Sequence, residues 1–529
     1  MSQLVVMPSA AAEVDSEGRE YLPSQKWQKM STETIRSRAS DFLDRMVQRA
    51  RGDMDLDDFL RVLWLSTTLF FIVGGYWLLR SLKDPIMSVI DGVEYIPQAK
   101  IASLFVVFGL VVVYNKLLDV FPLHHLFYMM GAAYGVLFTI MGLLLMHPTI
   151  GLSNTQADPS RFLGWLSYVT IESFGSMVVQ CYWALVNSSV DKKFGEKNFG
   201  YIVAGAQIGS ILGPTIATQA EYIGVPSLYL GGSVIMFLMV CAMYFYIQRF
   251  GAPAEDGSDK KSVKKEGGIM EGFYLFYEHN YVKGIFAIAS LSMVQVTIID
   301  YMMKVLAKDR YAALYPDDPQ AALRGFASFM GYFGQTTNSI SFIFSLFGTG
   351  MVIKRFGLAK TLIAYPVLLL GCTIAVWMMP NIWVVFSVMM IIKGMSYALN
   401  NPTKEILYLQ TSSSIKSKCK SWIETFGQRS SKAAGSVVTN AFATSLIDLV
   451  NYGSFVGIGM SFFLIWVSQW MGKMYDELEQ DGTKVGENGI PVYEKSPSPL
   501  KQVEMMNSNN DDDEDENDTS CGVEDEGQK

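Results

Sequence analysis

The stretch RVLWLSTTLFFIVGGYWLLRSLKDPIM, residues 61–87, decides the fold class. Between Arg61 and Arg80 it carries no charged residue. Such a run meets the roughly 20 apolar residues that a helix needs to cross a bilayer, and residues 60–80 read as a spanning helix. The run then takes on Arg80, Lys83 and Asp84 and meets Pro85, which reads as shaping the helix end. The three charges are either an interfacial stop, with long side chains reaching the headgroups, or groups held inside the membrane, with Asp84 keeping Lys83 in place.

The same signal recurs along the 529 residues, half of which are apolar and only 17% charged, against about 25% in ordinary soluble domains. Twelve spans are expected, at 60–80, 98–115, 126–146, 162–187, 199–219, 226–247, 283–306, 326–352, 358–379, 382–400, 432–449 and 453–472. Bases gather in alternate connections, at Lys116, at Lys192, Lys193 and Lys197, from Arg249 to Lys265, from Lys354 to Lys360, and from Lys404 to Lys432. By the positive-inside rule those connections, and both termini, are cytosolic.

The chain therefore divides into five expected parts. They are a cytosolic segment 1–59 with an amphipathic helix, a six-helix bundle 60–247, a basic linker 248–282, a second bundle 283–472 and an acidic tail 473–529. Residues 511–526 of the tail hold ten acids and no base, so the formal charge of −8 hides a slightly positive remainder. The acidic N-terminal residues Glu13, Asp15, Glu17 and Glu20 argue against a transit peptide. Gly205, Gly209 and Gly213 share one face of the fifth span and read as a helix-packing surface. Gln207 lies off that face and is a candidate ligand contact.

Several classes are excluded. The five cysteines form no CxxC pair, the four histidines no HExxH, and no GxxxxGK[ST] loop occurs. No nucleophile–base constellation is present, so the chain is expected not to be an enzyme and to use no metal or cofactor.

Ionisable residues at membrane depth cost at least about 2.5–3.5 kcal/mol each and persist where they face a cavity or one another. Besides Arg80 and Lys83, the candidates are Glu172, ten residues into the fourth span, and Asp300 with Lys304 one turn later in the seventh. An i,i+4 pair can also simply neutralise itself. Asn400-Asn401-Pro402 is expected to break the tenth helix, and Arg429 and Lys432 stand at the entry to the eleventh. Cations gathered from both halves suit a polyanionic solute, since phosphate oxygens accept charge-assisted hydrogen bonds. These residues point to a transporter of an anionic solute.

Five segments carry a resemblance. LLRSLKDPIM (78–87), EYIPQAKI (94–101), YVTIESFGSMVV (168–179), IIDYMMKVLAKDRY (298–311) and residues 398–435, with their Lys-x-Lys and later Lys432, occur in order. They resemble the ADP,ATP carrier, or nucleotide transporter, family of plastids and intracellular bacteria, which is distinct from the mitochondrial carriers. Asp300 stands where that family commonly has glutamate.

The resemblance implies an all-α membrane protein of twelve transmembrane helices in two six-helix bundles, a major-facilitator-like architecture. It implies secondary active transport of nucleotides, such as ATP/ADP antiport or nucleoside triphosphate exchange by alternating access. The alternative is a proton-coupled transporter of another phosphorylated or organic anion. Lys83, Glu172, Asp300 and Lys432 fall at positions important for transport, with Arg80, Lys304 and Arg429 as supporting cations. The expected partners are a nucleotide (ATP, ADP or another nucleoside phosphate) and the lipid bilayer, with no nucleic acid, in a monomeric carrier. A plastid envelope, an endomembrane or the plasma membrane would each suit it.

Overall fold

The computed structural model describes residues 13–14, 20–21, 54–118, 120–252, 269–347, 355, 357–412 and 415–486. The chain falls into two units, Met1–Trp64 and Leu65–Lys529. In the first, strand β1 (Glu13–Val14) pairs antiparallel with β2 (Glu20–Tyr21), Glu13 opposite Tyr21. Most of the expected amphipathic helix at 25–61, and the acidic run 511–526, lie outside the described residues.

The second unit is helical. Helix α1 (Leu56–Met87) enters it from the first, and α2 (Ile96–Leu118), α3 (Leu123–Leu145), α4 (Phe162–Ser189), α5 (Lys192–Ala217) and α6 (Val225–Phe250) follow. After the short α7 (Ile269–Glu278) come α8 (Asn280–Leu314), which contains a π turn at Ala287–Leu291, α9 (Pro319–Phe347) and α10 (Leu358–Met378). The last are α11 (Ile382–Met395), α12 (Asn401–Leu407), α13 (Gln428–Ala441) and α14 (Leu446–Asp481).

Among the described residues, eight helical stretches are long and apolar enough to cross a membrane. Large apolar side chains such as Phe105, Leu143, Ile447 and Trp466 point outward and are exposed, as a lipid-facing surface requires. The expected spans at 326–352, 382–400 and 432–449 overlap α9, α11 and α13, which fall outside the eight, and the last is interrupted by the turn between Ala441 and Leu446. α9 carries Gln335, Thr336, Thr337 and Asn338 in its middle, while α11 and α13 have 14 residues each.

Three local expectations change. Pro85 does not end α1: the helix runs through it to Met87, which places Lys83 and Asp84 inside the helix. A proline inside a helix loses its own N–H bond and crowds the carbonyl of the preceding turn, and here the helix tolerates both. The chain turns instead at Gly92, whose φ of 119° is open to a residue without a Cβ. Asn400-Asn401-Pro402 does not break its helix either. A π turn, Ser396–Asn400, joins α11 to α12 without a gap, and Pro402 is the second residue of α12. α14 also runs to Asp481, nine residues past the expected end at 472. Just beyond it, Val485 pairs in parallel with Thr411, its N–H donating to Gln410 O at 3.0 Å.

The glycine face of α5 packs as its spacing implies. A Cβ at Gly209 would stand 2.5 Å from Phe70 O, and one at Gly213 would overlap Gly74 O, so the backbones of α1 and α5 touch directly. Gly213→Val is expected to destabilise the protein by at least about 1–3 kcal/mol through overpacking, read as a lowered midpoint of thermal unfolding in detergent.

α5 also meets α9. Asn338 Nδ2 donates to Ser210 O at 2.6 Å, and Gly331 lies against the Thr218 amide and Pro214 O. Gln98 of α2 also donates to Asn440 of α13 at 3.1 Å. Between α3 and α4, Arg161 gathers the loop by donating to the carbonyls of Ile150, Gly151, Asn154 and Gln156 at 2.7–2.9 Å.

Candidate functional site

A cavity of about 350 Å³ lies among α1, α2, α4, α8, α10, α11, α12 and α13. It takes Arg80 and Lys83 from α1, Glu172 from α4, Asp300 and Lys304 from α8, and Arg429 and Lys432 from α13. Seven of the eight residues expected from sequence therefore meet in one place. Gln207 is the exception: it is half-buried on α5, outside the cavity lining.

A chain of ion pairs runs across the cavity wall. Glu172 forms ion pairs with Lys83 at 3.2 Å and with Arg80 at 3.8 Å. Lys83 also lies 3.3 Å from Asp84, whose other oxygen takes Lys304 from α8 at 3.0 Å. Lys304 closes on Asp300 at 2.7 Å, and Asp300 further accepts Lys100 at 3.1 Å and Lys393 at 3.4 Å. Lys83, Asp84 and Lys304 are each only 3% exposed at the side chain. Charges so far from water are stable only when paired, because desolvating each one costs several kcal/mol.

Aromatic rings complete the pairing. The Lys83 ammonium sits 3.8 Å from the centre of the Tyr168 ring, a cation–π contact that replaces part of its lost hydration. Arg80 donates to Tyr76 Oη at 2.7 Å and lies 5.3 Å from the Trp77 ring. Lys83 and Lys304 thus already have carboxylate partners, and either meets a solute only by exchanging one.

Arg429 and Lys432 differ. Among the described residues no carboxylate lies within 4 Å of either, and Lys432 is exposed to the cavity. Lys404 completes the lining cations and is paired with Glu424 at 3.3 Å. Eight lining cations face three lining carboxylates, with Asp84 behind as a fourth, leaving a formal surplus of four positive charges.

Three contributors escaped the sequence reading. Asp84 was assigned to its neighbour Lys83 alone, whereas it also bridges α1 to α8. Lys100 sits in an apolar stretch near the start of α2, and Lys393 sits in VMMIIKGM on α11. The rule that singled out Glu172 and Asp300, an ionisable residue inside an apolar run, applies to both lysines.

The family described as TLC ATP/ADP transporter matches residues 53–382. The chain belongs to the TLC ATP/ADP transporter family. Its relatives include ADP,ATP carrier protein 2, chloroplastic, of Arabidopsis thaliana, 22% identical over 83% of this chain and 79% of that protein. They also include ADP,ATP carrier protein 1 of Chlamydia muridarum (strain MoPn / Nigg), 24% identical over 77% of this chain and 87% of that one. The Plastidic ATP/ADP-transporter of Solanum tuberosum is 25% identical over 78% of this chain and 72% of its own length.

Among solved structures, this TLC-family chain superposes on a bacterial homologue of the iron transporter ferroportin in its inward-facing state. The TM-score is 0.56, at 12% identity, over 79% of this chain and all of the other. The nucleoside transporter NupG gives a TM-score of 0.52 at 16% identity, over 78% of this chain and 99% of that one. At such identities the likeness is one of fold, and the neighbours are major-facilitator-like transporters. The chain is accordingly a multi-pass membrane protein of a transporter family.

Proposed function

We propose that this protein exchanges nucleotides across a membrane by alternating access, with ATP and ADP or other nucleoside phosphates as substrates held in the cationic cavity. The surplus of four positive charges carries this reading. A nucleoside triphosphate bears about four negative charges at neutral pH, one on each inner phosphate and nearly two on the terminal one, whose second pKa is about 6. Membership of the TLC ATP/ADP transporter family supports the same substrate class.

In this reading all the long helical segments, including the polar α9 and the short α11 and α13, contribute to twelve spans. α1–α6 form one bundle and the helices from α8 onward the other, with bundle limits near 60–247 and 283–472 and a linker between. Both termini face the cytosol. The α5–α9 and α2–α13 contacts join the two bundles, and in this proposal the cavity opens toward the cytosol. Arg429 and Lys432 receive the phosphates first; Arg80, Lys83 and Lys304 join as their carboxylates Glu172, Asp84 and Asp300 release them. No covalent step is involved, and the carrier works as a monomer.

Proteoliposomes preloaded with ADP and offered labelled ATP test the reading. Uptake that depends on the internal nucleotide is expected. Uptake of a different phosphorylated or organic anion under a proton gradient, with no nucleotide uptake, would sink it in favour of proton-coupled anion transport.

A further inference from the structure

Asp300 is ringed by three lysines from three helices. Lys100 of α2 and Lys304 of α8 meet Oδ2 at 3.1 and 2.7 Å, and Lys393 of α11 meets Oδ1 at 3.4 Å. The three are not equivalent. Lys304 is sealed in and shared with Asp84. Lys100 and Lys393 keep 17% and 16% of their side chains exposed, line the cavity, and have no second carboxylate within 4 Å among the described residues.

Two oxygens pinned by three ammonium groups is also how a phosphoryl group is held, through short charge-assisted hydrogen bonds. We propose that the Asp300 carboxylate stands in for a phosphate in the empty carrier. On binding, Lys100 and Lys393 transfer from Asp300 to the outermost phosphate of the substrate. This assignment rests on the nucleotide reading above and deepens it by naming what senses phosphate number.

The energetics give the discrimination its direction. The first phosphate is met by Arg429 and Lys432, which no carboxylate competes for. Reaching Lys100 and Lys393 requires breaking two ion pairs to Asp300, and only the added charge of a second or third phosphate offsets that loss. A monophosphate leaves Asp300 in place; a triphosphate displaces it. Lys100 and Lys393 are then specificity-determining residues, and Asp300 is a built-in competitor.

The test is binding of AMP, ADP and ATP to the purified full chain, as wild type and as Lys100→Gln, Lys393→Gln and Asp300→Asn. Thermal shift with inorganic tripolyphosphate runs in parallel. Each lysine variant is expected to weaken ATP by about tenfold or more, the loss of one hydrogen bond to a charged group, while AMP changes less than about threefold. Lys→Arg at either position recovers part of the ATP affinity. Asp300→Asn, freed of its competitor, gains a larger thermal shift from tripolyphosphate than wild type does. The lysine variants relieve repulsion around the site, so they carry the test if Asp300→Asn does not fold.

Equal weakening of AMP and ATP, or no weakening of either, overturns the assignment while nucleotide binding itself stands. Tripolyphosphate binding that depends on Lys100 and Lys393, in a protein that binds no nucleotide, supports the phosphate subsite and overturns the nucleotide reading instead.

Discussion

Lys304→Ala is expected to cost about 3–5 kcal/mol of stability, the range for removing one partner of a buried ion pair, and to abolish exchange. Lys304 is the ammonium common to Asp84 and Asp300, and it is the link by which α1 is held to α8 through charge. Its removal leaves Asp84 with Lys83 alone and Asp300 with the two cavity lysines. The measurement is thermal unfolding in detergent together with ADP-driven ATP uptake. A second substitution gives the sign of the coupling. Lys304→Ala with Asp84→Asn removes a cation and an anion together, and is expected to be more stable than Lys304→Ala alone, by part of the roughly 0.5–3 kcal/mol typical of contacting pairs. Additive losses would mean that the bridge seen between α1 and α8 contributes nothing.

The double variant Arg429→Gln with Lys432→Gln should behave in the opposite way. These two cations have no carboxylate within 4 Å among the described residues and face the cavity. Their charges repel the other lining cations and hold no structure together. Neutralising them is expected to leave the unfolding midpoint unchanged or slightly raised. Nucleotide affinity is expected to fall about 100-fold or more, at roughly 1.5–3 kcal/mol for each hydrogen bond to a charged group. Equilibrium binding and unfolding on the same preparation separate the two effects. Lost stability with unchanged affinity would assign these residues to the scaffold.

The contrast explains what the sequence could and could not reveal. Glu172 and Asp300 were legible because a carboxylate about ten or more residues inside an apolar run has no way to reach water. Arg429 and Lys432 were legible because they precede a run of small residues that reads as a buried helix. The π turn at Ser396–Asn400 was hidden because Asn-Asn-Pro normally signals a break, and only packing around it keeps the chain helical. Asp84 was read as a partner of the adjacent Lys83 because adjacency is all that a sequence offers. Its bond to Lys304 spans 220 positions and exists only once α1 lies against α8. Lys100 was not singled out, and the partner that reveals its place, Asp300, lies 200 positions away. Gln207 lies outside the cavity lining. The glycine face of α5 was read correctly, but a residue off that face need not look into a cavity.

The charge surplus of the cavity has an electrical meaning as well as a chemical one. In a carrier that opens to one side at a time, the membrane potential drops across whichever gate is closed. Four unbalanced positive charges in the cavity of such a carrier therefore pass from one side of that drop to the other each time the empty carrier turns over. At about 2.3 kcal/mol per elementary charge per 100 mV, the empty return is opposed in one direction by several kcal/mol. A carrier filled with a tetra-anion moves no net charge and feels no such opposition. Voltage would thus hold the two half-cycles together, making the protein an exchanger by electrostatics rather than by any mechanical interlock.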